Sequence, residues 1–99
     1  MNASVEFSKP DTILLVGTLT RDTVPKLWKR LQVFNYPESN VNVPLNEVER
    51  IDSAGMVMLI HLIEHAKNRK CHIMLSFVPD ELKMLFQLSN VESVIEKHI

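Results

Sequence analysis

The first residues of the chain alternate between polar and apolar side chains, as a half-buried β-strand does. This alternation covers residues 4–8, and the β-branched, apolar run at 12–16 predicts a second, more buried strand. Residues 9–11, which include Pro10, separate the two runs. The pattern therefore predicts an N-terminal β-hairpin that turns at residues 9–11.

Apolar residues at helical spacing predict three helices farther along the chain. The first follows Thr23, a capping residue type, and has Pro25 in its first turn. The second covers residues 53–68, and the third opens at residues 79–81 and ends at Asn90. The apolar positions behind these predictions are Val24, Leu27, Trp28, Leu31 and Phe34, then Met56, Leu59, Ile60 and Ile63, and finally Leu82, Leu85 and Phe86.

Two more strands are predicted between these helices. Residues 41–45 alternate, with Pro44 placing that strand at an edge or near its end, and residues 71–78 alternate with Ile73, Leu75 and Phe77 on one face. The order is then strand, strand, helix, strand, helix, strand, helix. This order predicts an α/β or α+β domain with a mixed sheet, because the hairpin is antiparallel and the later crossovers give parallel strands.

Length and composition narrow the class of protein. The 99 residues are expected to form a single domain, 1–99, and an apolar fraction of 45% supports a hydrophobic core. With 11 lysines and arginines against 12 acidic residues, the chain lacks the basic excess of a nucleic-acid binder. The single cysteine cannot form an internal disulfide bond, and neither a signal peptide nor a membrane-spanning run is apparent. A cytoplasmic protein that does not insert into the membrane is expected.

The junction before the second helix is the main candidate site. Asp52 and Ser53 are both frequent helix N-cap residues, and Gly55 allows a close approach of another backbone or of a partner. A hydroxyl at the positive end of a helix dipole suits an anion, a phosphate group or an acceptor on a partner. The plainer alternative is that Ser53 only caps the helix, which is the commoner role.

Other catalytic or ligand-binding chemistry finds little support. His61 and His65 are four residues apart on the second helix and could coordinate a metal ion, but a third ligand is missing. Cys71 is expected to be an inert buried thiol, and Ser53 lacks the GxSxG context of a hydrolase nucleophile. Two glycines in the whole chain leave no glycine-rich phosphate loop. The sequence thus predicts no enzyme activity, metal or cofactor.

Two further features admit more than one interpretation. Met58 and Leu62 lie outside the main apolar stripe of the second helix, so they either pack inside the domain or form an exposed patch that meets a protein. Trp28, with Lys26, Lys29 and Arg30 nearby, could suggest a nucleic-acid surface. A core-facing tryptophan beside a solvated basic face is the favoured interpretation.

The run from Val48 to Gly55, centred on Ile51-Asp52-Ser53-Ala54-Gly55, resembles the signature of the STAS domain family. That signature is an apolar residue, Asp, Ser or Thr, a small residue and Gly, leading into a helix. The predicted order of elements is also the STAS order, so the resemblance covers nearly the whole chain. Within the family, residues 56–67 and the pair Leu27-Trp28 are most similar to the MlaB type.

The resemblance implies a STAS-like α/β fold, with a mixed sheet of about four strands and helices mainly on one face. It also implies a non-enzymatic subunit that binds and supports the MlaF-type ATPase of an ABC phospholipid transporter. In such a complex an MlaE-type permease and an MlaD-type protein are further components, and outer-membrane lipid asymmetry is maintained. The subunit would be cytoplasmic and peripheral at the inner membrane through its partner.

The resemblance places the partner contact at the start of the second helix. Its implied centre is Asp52, Ser53, Ala54 and Gly55, and Arg50, Met56 and one of the two helix histidines could extend it. The alternative within the family is an anti-sigma-factor antagonist, a regulatory switch phosphorylated on Ser53. Pro44-Leu45-Asn46 and Ala54 depart from the antagonist pattern, which favours the transport subunit.

Overall fold

The computed structural model describes residues 2–99, which fold into one five-stranded sheet with helices packed against it. Its elements are β1 (Ala3–Lys9), β2 (Thr12–Leu19), α1 (Val24–Gln32), β3 (Asn40–Pro44), β4 (Val48–Ile51), α2 (Ser53–Lys67), β5 (His72–Ser76), α3 (Asp80–Leu88), α4 (Glu92–Ile95) and a 3-10 turn at Glu96–His98. The predicted α/β class and the N-terminal hairpin are confirmed.

The sheet is mixed, as the order of the elements predicted. β1 and β2 pair antiparallel, whereas β3 is parallel to both β2 and β5. β2 pairs with β3 at its first residue, Thr12, and with β4 at its last residues, from Gly17 to Leu19. The end of β2 therefore lies beside β4, and β4 leads directly into α2.

The strand β4 is a fifth strand that the sequence pattern did not predict. Of its four residues only Ile51 is buried, and Glu49 and Arg50 are exposed. Such a segment has no two-residue alternation to recognise. Its strand geometry comes from pairing with β2, some 30 residues earlier in the chain.

One face of the sheet carries the core. Alternate residues of the strands are buried on that face, while their neighbours on the other face are more exposed; the buried set includes Ile13, Leu15, Val41, Val43, Ile73 and Leu75. Helices α1 and α2 contribute Leu27, Leu31, Leu59 and Leu62 to the same core. The helices thus lie mainly on one face of the sheet.

Helix α2 is apolar around much of its circumference because it packs against several elements at once. It contacts β4, β5, α1 and α3. Met58 and Leu62 are only 2% and 0% exposed, so the interpretation that they pack inside is confirmed and the exposed-patch alternative is wrong.

None of the helices within residues 2–99 combines the length and apolar character needed to span a bilayer.

Candidate functional site

Asp52 fixes the start of α2 and ties it to the rest of the sheet. Its Oδ1 accepts hydrogen bonds from the backbone N–H groups of Ala54 and Gly55, at 2.9 and 3.1 Å. Its Oδ2 accepts one from the backbone N–H of Arg21, at 3.3 Å, and its own N–H donates to the carbonyl of Leu19, at 3.1 Å. A single carboxylate therefore caps the helix and anchors the chain that follows β2.

Ser53 is the first residue of the helix and is exposed. Because Asp52 supplies the capping oxygen, the alternative in which Ser53 serves only as the cap is wrong. Its hydroxyl lies at the positive end of the helix dipole, where it can accept as well as donate hydrogen bonds. The geometry makes this side chain available to another molecule.

Gly55 and Met56 lie beneath the surface. A Cβ atom added to Gly55 would lie 2.4 Å from the carbonyl oxygen of Leu19 and 2.7 Å from Cγ1 of Ile51. Met56 is 4% exposed and belongs to the hydrophobic core. Gly55 lets the first turn of α2 approach the ends of β2 and β4, and the side chain of Met56 packs in the core, so neither residue offers a side chain at the surface.

The exposed side of α2 forms one wall of a groove. Ser53, Val57 and His61 are all exposed and follow one another at four-residue intervals, which places them along one side of the helix. Pro25 and Trp28 of α1 form the opposite wall. We call this feature the α1–α2 groove; it has a volume of 530 Å³ and is lined by Val24, Pro25, Trp28, Ser53, Ala54, Val57, Met58 and His61.

The α1–α2 groove contains only part of the predicted site. Ser53 and Ala54 line it directly, whereas Asp52 supports it from behind through its backbone contacts. Arg50 is exposed on β4 but borders a separate small depression with Pro79 and Glu81. Glu81 accepts a hydrogen bond from the N–H of Ile51, at 2.9 Å, which fastens β4 to α3.

Sequence reasoning missed the α1 wall of the groove and Val57. Trp28 packs against the core, as the sequence predicts, but it is only half-buried, and its exposed part lines the groove. Counting four and eight residues forward from Ser53 along the helix would have selected Val57 and His61. No comparable signal in the sequence pairs Pro25 with Ser53.

The two helix histidines have different surroundings. His61 is exposed at the groove, whereas His65 packs edge-on against Trp28 and Tyr36, with ring centroids 5.5 and 5.4 Å apart. The hydroxyl of Tyr36 donates to the carbonyl of Leu31, at 2.6 Å. Within residues 2–99 no group of three or more His, Cys, Asp or Glu side chains is placed to hold a metal ion.

Cys71 is a free thiol at the far end of α2 and is 4% exposed. Burial raises its pKa, which keeps the sulfur in the unreactive thiol form. This placement agrees with the prediction of an inert buried cysteine.

His65 should make the stability of the fold depend on pH. Burial, followed by the positive charge of Arg69, lowers its pKa, while the nearby backbone of Gln32 acts in the opposite direction. Its Nε2 is buried and has no hydrogen-bond partner within residues 2–99. The folded protein therefore favours the neutral ring.

The sign of this dependence follows from the lowered pKa. As pH falls through about 6.5, the ordinary value for histidine, the unfolded chain binds a proton that the folded chain still excludes, so the free energy of unfolding decreases. The decrease stops below the folded-state pKa. We expect His65→Phe to reduce this acid-dependent loss and to stay within about 1 kcal/mol of the parent at pH 7.5.

Urea unfolding between pH 7.5 and 5 measures the effect, and His61→Phe on the exposed side of the same helix is the matched control. The prediction is wrong if the free energy of unfolding of His65→Phe falls as steeply between pH 7.5 and 5 as that of the parent. It is also wrong if His61→Phe reduces the pH dependence of the free energy of unfolding as much as His65→Phe does.

The sequence matches a family model and several known proteins. The family model described as "Mlab, STAS domain" matches residues 5–96. The Escherichia coli K12 intermembrane phospholipid transport system binding protein MlaB is 31% identical over 82% of this chain and 81% of its own length. The anti-sigma-B factor antagonist of Listeria monocytogenes is 29% identical over 97% of this chain and 89% of its own.

A solved structure shows the same fold. The anti-sigma factor antagonist SpoIIAA in its unphosphorylated form superposes with a TM-score of 0.68 at 12% identity, covering 88% of this chain and 83% of that one. At this identity the match bears on the fold alone.

Proposed function

Because this chain belongs to the MlaB-type STAS domain family, we propose that it is a non-enzymatic subunit that binds and supports the MlaF-type ATPase of an ABC phospholipid transporter. The E. coli relative carries the name of a phospholipid transport system binding protein and supports this assignment. The proposed role is to contact the ATPase through a fixed surface, without chemistry of its own.

The α1–α2 groove is the observation that carries the proposal. Its walls combine an exposed valine, Val57 at 44%, with part of an indole ring and a proline, and the polar groups at its border are Ser53 and His61. Aromatic and aliphatic side chains that surround a few polar groups are typical of the centre of a protein–protein interface. The proposed contact centre is therefore Ser53 and Ala54 with the groove, while Asp52, Gly55 and Met56 hold its position.

A charge placed in this groove should weaken ATPase binding. We expect Val57→Asp to reduce the affinity for the MlaF-type ATPase by at least ~10-fold, because an unpaired carboxylate would be desolvated in an apolar contact. Val94→Asp is a matched control, since Val94 is 46% exposed, lies on the separate helix α4, and does not line the groove. Titration calorimetry with the purified ATPase measures both affinities.

Folding controls accompany this experiment. Both valines are exposed, so both variants should keep the parent thermal midpoint within a few degrees. Equal affinity of the parent and the Val57→Asp variant would remove the groove from the interface. Failure of the parent chain to bind the ATPase would overturn the proposed function itself.

Binding to the ATPase would place the subunit at the membrane. The subunit would be cytoplasmic and would lie at the inner membrane as part of a complex with the MlaE-type permease and the MlaD-type protein. Deleting the subunit should deplete the ATPase from isolated membranes and expose phospholipid at the outer surface of the cell.

The second candidate function is a regulatory switch of the anti-sigma-factor antagonist class. It is favoured by the similarity to the Listeria antagonist over almost the whole chain and by the exposure of Ser53, which a kinase could reach. A phosphate at Ser53 would lie at the positive end of the α2 dipole, so the fold would tolerate it. Intact-mass analysis of protein from its native cells would show a phosphate on Ser53 if this function holds.

A further inference from the structure

A second concave surface lies at the opposite end of α2 from Ser53. We call it the basic cup; it has a volume of 510 Å³ and is lined by Ser39, Asn40, Lys67, Lys70, Cys71, His72, Lys97 and His98. Because α2 has 15 residues, the cup is roughly 20 Å along the helix from Ser53. It shares no lining residue with the α1–α2 groove.

The charged side chains that line the basic cup are all positive. Lys67, Lys70 and Lys97 contribute three of the 11 lysines and arginines of a chain whose net charge is −1. Among residues 2–99, none that lines the cup is an aspartate or a glutamate. Lys67 lies in the last turn of α2 and complements the negative end of its dipole, but Lys97 comes from the C-terminal 3-10 turn and has no such role.

Two histidines that line the cup hold the C-terminal turn against β5. The rings of His72 and His98 stack with centroids 4.5 Å apart. His72 Nε2 lies 2.9 Å from the carbonyl oxygen of Lys97, and His98 Nδ1 lies 2.8 Å from that of Ile73. Lys97 is thereby held on the same side of the sheet edge as the end of α2.

These contacts determine which ring nitrogens carry protons. A carbonyl oxygen only accepts, so His72 Nε2 and His98 Nδ1 must both donate. The remaining nitrogens, Nδ1 of His72 and Nε2 of His98, have no part in these carbonyl contacts. These two hydrogen bonds fix the positions of the rings beside the lysines of the cup.

We propose that the basic cup binds a phosphate group, carried either by a small solute or by the headgroup of an anionic phospholipid. Three ammonium groups, the Ser39 hydroxyl and the Asn40 amide supply donors from three separate segments of the chain. Lysine binds phosphate as a point charge, and several donors around one concave site suit a tetrahedral ion with several oxygens. The ligand is one that carries a phosphate monoester or diester.

Removing two of the charges tests the proposal. The Lys67→Gln/Lys97→Gln variant neutralises two walls of the cup, and Lys26→Gln/Lys29→Gln on the exposed side of α1 makes the same change in net charge elsewhere. One experiment titrates inorganic phosphate against chloride at constant ionic strength, monitored by amide NMR shifts. The other floats the protein with phosphatidylcholine vesicles that contain or lack phosphatidylglycerol.

Saturable binding in either experiment, weakened at least ~10-fold by the cup variant and unchanged by the α1 variant, would support the proposal. Binding of phosphate alone would identify a small solute as the source, and binding of the anionic vesicles alone would identify a lipid headgroup. Binding in neither experiment would overturn the proposal, as would equal loss in the two variants. ATPase binding through the groove is measured separately, so the two proposals fail independently.

Discussion

Replacing Gly55 with alanine is expected to lower the free energy of unfolding by about 2–3 kcal/mol, the upper part of the range for overpacking a well-packed site. The added Cβ would lie 2.4 Å from the Leu19 carbonyl oxygen, a backbone atom that cannot rotate away. That carbonyl also accepts the hydrogen bond from the N–H of Asp52. The first turn of α2 would have to move away from β2, and Ser53 would move with it.

The sign of the change in the free energy of unfolding decides whether Gly55 is closely packed against β2. At a helical site with open space around it, replacing glycine with alanine stabilises the protein by about 1 kcal/mol. A gain in stability in the Gly55→Ala variant would therefore show that α2 does not approach β2 closely at this residue. Urea unfolding at a constant m-value measures the change. Ser53→Ala, in the same turn but exposed, is the control and should change stability by no more than about 0.5 kcal/mol.

Asp52→Ala should cost about 2 kcal/mol, at the upper end of the range for an N-cap residue. The carboxylate serves the N–H groups of Ala54, Gly55 and Arg21, so its removal leaves donors unpaired both at the helix start and after β2. Because α2 forms much of the core, a loosened first turn also weakens the packing of Met56 and Leu59.

Asp52→Asn distinguishes capping from charge. Asparagine keeps one acceptor oxygen for Ala54 and Gly55 but replaces the oxygen that contacts Arg21 with an amide donor. We expect it to recover more than half of the loss seen with alanine, as judged from thermal and urea unfolding together. Equal loss in the two variants would show that the negative charge, rather than the cap, stabilises the junction.

The predictions for Gly55 and Asp52 bear on the proposed function because both residues position Ser53 without lining the α1–α2 groove. If the groove binds the ATPase, both substitutions should weaken binding through loss of structure, whereas Val57→Asp should weaken binding in a stable fold. Comparing affinity with thermal midpoint across the three variants separates the two causes.

The local pattern predicted most of the secondary structure and the helix junction. The alternation in β1, β3 and β5, the apolar β-branched run in β2 and the helical spacing in α1, α2 and α3 arise from burial of these elements, so they can be read from neighbouring residues. The adjacent residues Asp52 and Ser53 also predicted the helix start, and α2 begins at Ser53 as expected.

Features that depend on distant residues were decided by the tertiary structure. β4 is a strand because it pairs with β2, and Met58 and Leu62 are buried because α1 and other elements surround α2. The cap is Asp52 rather than Ser53 because Asp52 has an extended backbone and its side chain accepts from the N–H groups of Ala54 and Gly55.

The sequence by itself determined the class of fold, the STAS-like signature and the presence of a hydroxyl at the start of α2, because each depends on residues close together in the chain. Only the tertiary structure brought Pro25 and Trp28 beside Ser53, and Lys97 beside Lys67. The physical reason is that a groove or a cup is made of surfaces from different elements. Their approach is set by how the core packs, which no local pattern records.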